Sequence, residues 1–222
     1  MIITLDGPSA SGKSRAARTL AHELGIYYLS TGYLYRAVAY CALQRGAIIA
    51  EEQPLDPTLV EQCADPRKLS YRYEQGNAQV LFDGVDITSH LKNPLVDRSA
   101  SIVSAQPAVR TALISVQRVI AERADLVADG RDCGSVVFPD APYKFFITAS
   151  LDERARRWAA DCAARGISCS LEEARSALSE RDTRDAARVV SPLIVPEGSV
   201  IVDTTDLTPD AVVAHIRATI QK

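Results

Sequence analysis

The segment from Gly7 to Ser14 constrains this chain more than any other part of its sequence. It fits the pattern G-x-x-x-x-G-K-[ST]. Its glycines let the backbone curl until successive N–H groups point inward at a phosphate, and the helix that follows adds its positive N-terminal end. The segment lies between an apolar strand-like run and a helix-like run, which is the context that this pattern requires. The sequence therefore predicts a phosphate-binding P-loop.

The residues of this loop have separate expected roles. Lys13 is expected to bridge the β- and γ-phosphates of a nucleotide, and the Ser14 hydroxyl is expected to reach Mg²⁺. A P-loop does not settle the reaction, because kinases, GTPase switches, motors and transporters all contain one. The residues predicted to bind the nucleotide in this part of the chain are Gly7, Pro8, Ser9, Ala10, Ser11, Gly12, Lys13, Ser14 and Arg15.

Strand-like and helix-like segments alternate along most of the chain, which predicts an α/β fold with an open parallel sheet and helices on both faces. Two segments depart from this alternation. Residues 68–88 read as a small antiparallel meander, in which Asp83-Gly84 is a hairpin signal. Residues 47–66 contain three prolines and predict irregular structure. The strands of the main sheet are predicted at 2–5, 26–29, 126–128, 143–148 and 200–202.

Composition narrows the compartment and the partners. A net charge of −3 and a pI of about 5.7 argue against binding to long nucleic acid. Five cysteines without a close pair argue against a disulfide framework or a zinc site, and we expect free thiols. The apolar run Met1 to Leu5 meets Asp6 at once, which predicts a buried strand and no signal peptide, and no segment is suited to span a bilayer. We expect a cytoplasmic monomer without a membrane partner.

Three polar clusters could form a second anion site opposite the P-loop, as transfer of a phosphoryl group to a small acceptor requires. One cluster, residues 30–36, follows the second strand. Another, Asp129 to Asp132, follows a buried strand at the edge where α/β sheets bind ligands, and Asp129 is expected to act on Mg²⁺ through water. The third is the arginine-rich region 154–188, where Arg154 and Arg157 share a helical face.

Each cluster also has a plain structural interpretation. Thr31 could cap a helix, the Asp129 cluster could be a salt-bridged turn, and the arginines could cover a solvated helix. The P-loop favours the interpretation as a ligand site, because phosphoryl transfer needs such groups.

Together these segments resemble the bacterial cytidylate kinases over almost the whole chain. The resemblance rests on the order and spacing of many short blocks. The blocks are Leu5 to Ser9 with Gly12-Lys13, Thr31-Gly32 with Leu34 to Arg36, Asp86 to Thr88, Ala100-Ser101, Pro107 with Val109-Arg110, Asp129 to Asp132 with Gly134 and Val136 to Ala141, Glu153 to Arg157, and Glu180 to Asp182 with Arg184, Asp185 and Arg188.

The resemblance implies a nucleoside monophosphate kinase that uses ATP and Mg²⁺ to phosphorylate CMP and dCMP. It implies a core at 1–46, 95–150 and 189–222, a monophosphate-binding insert at about 60–94 and a helical lid at about 151–188. A kinase for another monophosphate such as UMP or AMP remains an alternative. A nucleotide-binding regulator with weak catalysis is another.

The resemblance also implies roles for single residues. Arg36 and Arg131 would hold the acceptor phosphate, and Arg154 and Arg157 would act from the lid on ATP. The implied catalytic set is Lys13, Asp129, Arg131 and Arg157. The implied CMP-binding set is Thr31, Tyr35, Arg36, Ser101, Arg110, Arg131, Asp132, Arg181, Asp185 and Arg188.

Within that set, Ser101, Arg110 and Asp132 would read cytosine, and Arg181, Asp185 and Arg188 would hold the sugar. The chemistry agrees, because Asp132 can accept from the cytosine amino group while uracil would place a carbonyl against the same carboxylate.

The chain departs from the family pattern inside the P-loop and after the second strand. Ala10 stands where a glycine is frequent, and we expect it to be tolerated if its φ angle is negative. Arg15 removes an expected hydroxyl contact to the donor phosphates. Thr31 replaces a serine and Tyr33 a small residue. The two loop differences bear on ATP affinity more than on the reaction type.

Overall fold

The computed structural model describes residues 1–50 and 53–220. Strands and α-helices alternate through most of this part of the chain. The strands are β1 (Ile2–Asp6), β2 (Tyr27–Ser30), β3 (Leu69–Glu74), β4 (Asn77–Phe82), β5 (Val85–Asp86), β6 (Leu126–Gly130), β7 (Tyr143–Thr148) and β8 (Val200–Asp203). The α-helices are α1 (Lys13–Leu24), α2 (Thr31–Gln44), α3 (Pro57–Cys63), α4 (Pro94–Val103), α5 (Pro107–Ala121), α6 (Leu151–Ala164), α7 (Leu171–Ala186) and α8 (Pro209–Ile220).

Five strands form the predicted parallel sheet, in the order β2-β6-β1-β7-β8. Its central strand, β1, is buried on both faces, as the apolar sequence predicts. The register pairs Asp6 with Gly130 and Ser30 with Asp129, so β1, β2 and β6 end at the same edge. The segments that follow these three strands therefore meet at one place.

Helices cover both faces of this sheet, which confirms the predicted fold class. One core contains Leu34 and Leu113 and packs α2 and α5 against the sheet. The core on the other face contains Leu20 and Ile216 from α1 and α8. Helix α1 forms because Ala16, Ala17, Leu20 and Ala21 recur at helical spacing, and it ends at Gly25, whose φ of 65° suits glycine.

The predicted meander is a three-stranded antiparallel sheet of β3, β4 and β5. Its turns occur at Gln75-Gly76 and Asp83-Gly84, where all four residues have positive φ. This sheet lies within the segment 60–94, whose assignment as a monophosphate-binding insert stays a prediction.

The expected irregular structure over 47–66 is wrong for its second half, because α3 forms there. The Asp56 carboxylate accepts from the backbone N–H groups of Thr58 and Leu59, and Pro57 occupies the first helical turn, where its missing N–H is no loss. Proline therefore starts this helix rather than preventing it. Residues 51–52 of that stretch lie outside the described residues.

The sequence patterns also do not predict two short non-α helices. A 3₁₀ helix spans Thr88–Lys92, and a π-helix spans Cys133–Val137 directly after Asp132. All five cysteines are free thiols. In residues 1–50 and 53–220, no helix combines the length and apolarity needed to cross a bilayer.

Candidate active site

A cavity of about 1000 Å³ opens where β1, β2 and β6 end. Its walls are the P-loop, the start of α2, the segment after β6 and the arginines of α6 and α7. The predicted site residues that line it are Ser9, Ala10, Ser11, Gly12, Lys13, Ser14, Arg15, Thr31, Tyr35, Arg36, Arg110, Asp129, Arg131, Asp132, Arg157, Arg181, Asp185 and Arg188. The other predicted site residues are not part of this lining, namely Gly7, Pro8, Ser101 and Arg154.

The P-loop needs glycine at its first position for steric reasons. Gly7 has a φ of 146°, and a Cβ atom there would lie 2.0 Å from the Ile147 carbonyl oxygen. At the other end, Gly12 has a φ of 89° and precedes α1 as its N-cap. Lys13 follows and is buried, with its Nζ donating to the Pro8 carbonyl at 2.8 Å. Burial, and next the charge of Arg131, hold the pKa of Lys13 well below its usual range.

Ala10 adopts a left-handed backbone with a φ of 59°, which contradicts the negative φ that we expected. A Cβ atom destabilises this conformation by about 1 kcal/mol. The loop nevertheless holds Ala10 there, and its side chain packs against the apolar cluster between α6 and α7.

Ser14 and Asp129 come together at the end of the sheet. The Ser14 hydroxyl donates to Oδ2 of Asp129 at 2.5 Å, and the Tyr28 hydroxyl donates to Oδ1 of the same carboxylate at 2.9 Å. The pair offers one hydroxyl and one carboxylate, both hard oxygen ligands. This donor set fits Mg²⁺, which takes few protein oxygens and fills its other positions with water and phosphate oxygens.

Arg131 connects the P-loop with helix α7. Its Nη2 donates to the Ser9 hydroxyl at 2.6 Å, and its Nε donates to the Asp185 carboxylate at 2.8 Å. Burial raises the pKa of Asp185, but Arg131, Arg188 and Arg181 outweigh that effect and bring it below the usual value. Burial, and next Arg131, lower the pKa of Arg181 to about 10. The Asp185 carboxylate therefore partly neutralises the positive charge of these arginines.

Of the three residues predicted to read the base, Arg110 and Asp132 are buried and line the cavity. Arg110 forms a buried ion pair with Asp132, and its guanidinium lies 5.1 Å from the centre of the Tyr35 ring. Ser101 does not line the cavity; its hydroxyl accepts from Arg184 Nη1 at 2.9 Å. Ser104 lines it instead and accepts from Arg188 Nη2 at 2.8 Å.

The two predicted lid arginines dock on the core. Arg154 Nη1 donates to the Ser9 carbonyl at 3.3 Å and forms an ion pair with Asp182 at 2.7 Å. Arg157 donates from Nη1 to the Thr204 hydroxyl at 3.0 Å and from Nη2 to the Thr204 carbonyl at 2.7 Å. Both side chains therefore lie beside the P-loop.

Sequence reasoning missed four polar groups of this site, namely Tyr28, Asp97, Ser104 and Thr204. Tyr28 sits in an apolar strand, where an aromatic side chain is typical of the core. Ser104 and Thr204 are single hydroxyl residues just after an element and carry no motif of their own. Asp97 lies in the first turn of α4, where an acidic residue is ordinary.

Comparison with known proteins agrees with this geometry. The family model for cytidylate kinase matches residues 3–222. The cytidylate kinase of Caldanaerobacter subterraneus is 39% identical over 220 residues, covering 99% of this chain and 94% of that protein. The cytidylate kinase of Stutzerimonas stutzeri is 41% identical over 215 residues, covering 97% and 93%.

A solved shikimate kinase from Bacteroides thetaiotaomicron aligns with a TM-score of 0.50 at 10% identity, covering 100% of this chain and 99% of that one, which shows a shared fold alone. The family model and the full-length relatives identify the family as well as the fold. On that evidence this chain belongs to the cytidylate kinase family.

Proposed function

We propose that this chain transfers the γ-phosphoryl group of ATP to CMP and dCMP, giving ADP with CDP or dCDP. The position of Arg131 is the main support for this proposal, because its side chain contacts Ser9 of the P-loop on one side and Asp185 of α7 on the other. A cation in that position would lie between a bound triphosphate and an acceptor phosphate. The cytidylate kinases to which this chain is similar support the choice of acceptor.

The transfer is direct and in line, without a covalent enzyme intermediate. Phosphoryl transfer needs positioning and charge stabilisation more than covalent help. Lys13 and the backbone of residues 7–14 would hold the β- and γ-phosphates. Arg131 and Arg157 would stabilise the charge on the transferred group.

Mg²⁺ would be held by the Ser14 hydroxyl and, through water, by the Asp129 carboxylate. When bound, it neutralises charge on the triphosphate oxygens. Tyr28 supports the assignment, because its hydrogen bond at 2.9 Å fixes the orientation of the carboxylate. We expect Ser14→Ala to raise the Mg²⁺ concentration needed for half-maximal rate by about tenfold, with the KM for CMP unchanged; an unchanged Mg²⁺ requirement would count against the site.

On the acceptor side, Arg36 and Arg131 would bind the phosphate, with Thr31 nearby. Arg181, Asp185 and Arg188 would bind the sugar. Asp132 would accept from the cytosine amino group while Arg110 and Ser101 donate to the ring acceptors, and Tyr35 packs beside Arg110. Uracil would oppose its carbonyl to Asp132, so discrimination comes from a buried polar mismatch.

The segment 151–188 would act as the lid and exclude water from ATP, with Arg154 and Arg157 in contact with the core. We further propose that the protein works as a monomer in the cytoplasm. Five free thiols are consistent with a reducing compartment.

A coupled assay for ADP formation tests the function directly. Purified protein with Mg-ATP is given CMP, dCMP, UMP or AMP, and we expect turnover that depends on CMP or dCMP. A higher kcat/KM with UMP or AMP would move the activity to another monophosphate. Tight ATP binding without turnover on any acceptor would indicate a nucleotide-binding regulator instead.

A further inference from the structure

Asp97 joins two arginines that come from different parts of the fold. It lies in the first turn of α4 and lines the main cavity. Its Oδ1 accepts from Nε of Arg36 on α2 at 2.6 Å. Its Oδ2 lies 3.7 Å from Nη1 of Arg165, the residue directly after α6. One carboxylate thus contacts an arginine beside the acceptor site and an arginine of the segment proposed as the lid.

The bond to Arg36 fixes the direction of a guanidinium group. Arg36 lines the cavity and is held through Nε, so this bond leaves the terminal nitrogens of its planar fork for other partners. Its Nη1 lies near the start of α2, at 3.3 Å from the Cβ position that Gly32 would have as alanine. A side chain with several rotatable bonds gains a defined orientation from such a charge-assisted bond.

Asp97 also moderates the charge of the cluster. Burial and the charge of Arg131 lower the pKa of Arg181 and Asp185 raises it, while Arg36 and Asp97 have smaller effects that lower and raise it, respectively. A carboxylate near an anionic substrate would weaken binding if it acted through its charge alone. Orientation and charge therefore predict opposite effects on the affinity for an acceptor phosphate, and this difference makes the role of Asp97 testable.

We propose that Asp97 is a positioning residue that orients Arg36 toward the acceptor phosphate and that pairs with Arg165 when the lid lies over the site. This inference rests on the proposed function. Lid and acceptor site then share one carboxylate, so closure of the lid favours the orientation of Arg36 that binds the acceptor. Both effects act through Arg36, and Asp97 itself does not touch the reacting atoms.

The first experiment compares Asp97→Ala, Asp97→Asn, Arg36→Ala and the double variant Asp97→Ala/Arg36→Ala. We expect Asp97→Ala to raise the KM for CMP about tenfold, the loss of one charged hydrogen bond, with the KM for ATP nearly unchanged. Asp97→Asn keeps an acceptor oxygen and should lie between the wild type and Asp97→Ala. In the Arg36→Ala background, adding Asp97→Ala should change nothing further.

Two results would overturn the proposal. One is an unchanged or lower KM for CMP in both Asp97 variants, because it would mean that the carboxylate acts through charge or not at all. The other is an undiminished effect of Asp97→Ala in the Arg36→Ala background. The matched control is Glu23→Ala, which breaks the Glu23–Arg217 ion pair between α1 and α8 and should leave the KM for CMP unchanged.

The second experiment tests the link to the lid. Trp158, the only tryptophan of the chain, lines the cavity and packs against the cluster between α6 and α7, so its fluorescence reports binding. In the wild type, we expect the Kd for ADP to be lower with CMP than without it. Arg165→Ala should reduce the ratio of these two Kd values by about threefold, as for a partly exposed ion pair. An unchanged ratio in Arg165→Ala would overturn the proposed connection between Asp97 and the lid.

These arms separate the inference from the function on which it rests. A wild-type protein without CMP-dependent turnover would overturn the proposed function and this inference with it. A wild type that turns over CMP, with Asp97 variants that match it, would overturn the inference alone.

Discussion

Arg110 on α5 and Asp132 after β6 form an ion pair whose side chains are only 1% and 3% exposed. Arg110 Nη1 also donates to the Ser104 carbonyl at 2.8 Å, which fixes the guanidinium from a second side. Burying two charges opposes folding unless each finds partners, and a hydrophobic pair of similar volume would serve stability as well. The pair is therefore better explained as a means of holding the Asp132 carboxylate inside the cavity than as a source of stability.

The first prediction concerns base selection by this carboxylate. Asp132→Asn replaces an acceptor by an amide, and we expect the ratio of kcat/KM for CMP to that for UMP to fall about 100-fold. The KM for ATP should stay within about twofold, because the donor site is separate. Steady-state assays with both acceptors measure the ratio. Equal losses in the use of CMP and ATP would contradict the assignment.

The same substitution has a stability effect that must be measured alongside. It leaves the Arg110 charge buried without its carboxylate, which destabilises the fold by about 3 kcal/mol. Urea unfolding gives this value, and assays belong at a temperature where the variant is still folded.

The second prediction separates catalysis from stability at Lys13. Lys13→Ala should reduce turnover by at least about 10³-fold, since it removes the charge at the transferred phosphate. Burial lowers the pKa of Lys13, so its charged form is disfavoured in the folded protein without nucleotide. The unfolding free energy should therefore stay unchanged or rise. The control for both measurements is Lys144→Ala, which removes an exposed hydrogen bond to the Glu197 carbonyl. A strong loss of stability in Lys13→Ala would contradict this prediction.

The third prediction concerns the pH dependence of stability. Burial raises the pKa of Asp6 from 3.8 to about 6, although the Gly134 and Cys133 backbone N–H groups that it accepts act in the opposite direction. Between these values the folded protein binds more protons than the unfolded chain, so the contribution of Asp6 to stability falls as the pH rises.

Comparison with Asp6→Asn isolates this contribution. The difference in unfolding free energy, wild type minus variant, should fall by about 2 kcal/mol between pH 4 and pH 7. Urea unfolding at several pH values provides the curve. A difference that is flat across this window would show that Asp6 does not titrate there.

The fourth prediction concerns the backbone of the P-loop. Ala10→Gly removes a Cβ from a residue whose φ is 59°, and we expect a gain in stability of about 1 kcal/mol. The control is Ala214→Gly, in the exposed middle of α8, which should lower stability by about 1 kcal/mol. Thermal and urea unfolding measure both. A loss at both positions would mean that the loop does not strain Ala10.

Much of this fold can be predicted from local sequence. The strand β1 and the helix α1 follow from an apolar run, a glycine loop and helical spacing, which are all short-range signals. The convergence of the P-loop with Asp129 to Asp132 follows from one further rule, since parallel strands end at the same edge.

The rest depends on contacts between distant segments. No local pattern pairs Asp97 with Arg36, because the partners lie on different helices and meet only when those helices pack. The same holds for Tyr28 and Asp129, on neighbouring strands that are remote in the sequence. Ala10 is a different case, because its φ is imposed by the loop around it against its own preference.

The contacts of Arg131 with Ser9 and Asp185 have a consequence for the speed of the cycle. If an acceptor phosphate engages Arg131 as proposed and displaces one of these partners, its net affinity is a difference between two pairings of one guanidinium. Asp185 would then be an intramolecular competitor that pairs with the arginine again as the product leaves, and it would shorten the residence time of the nucleoside diphosphate.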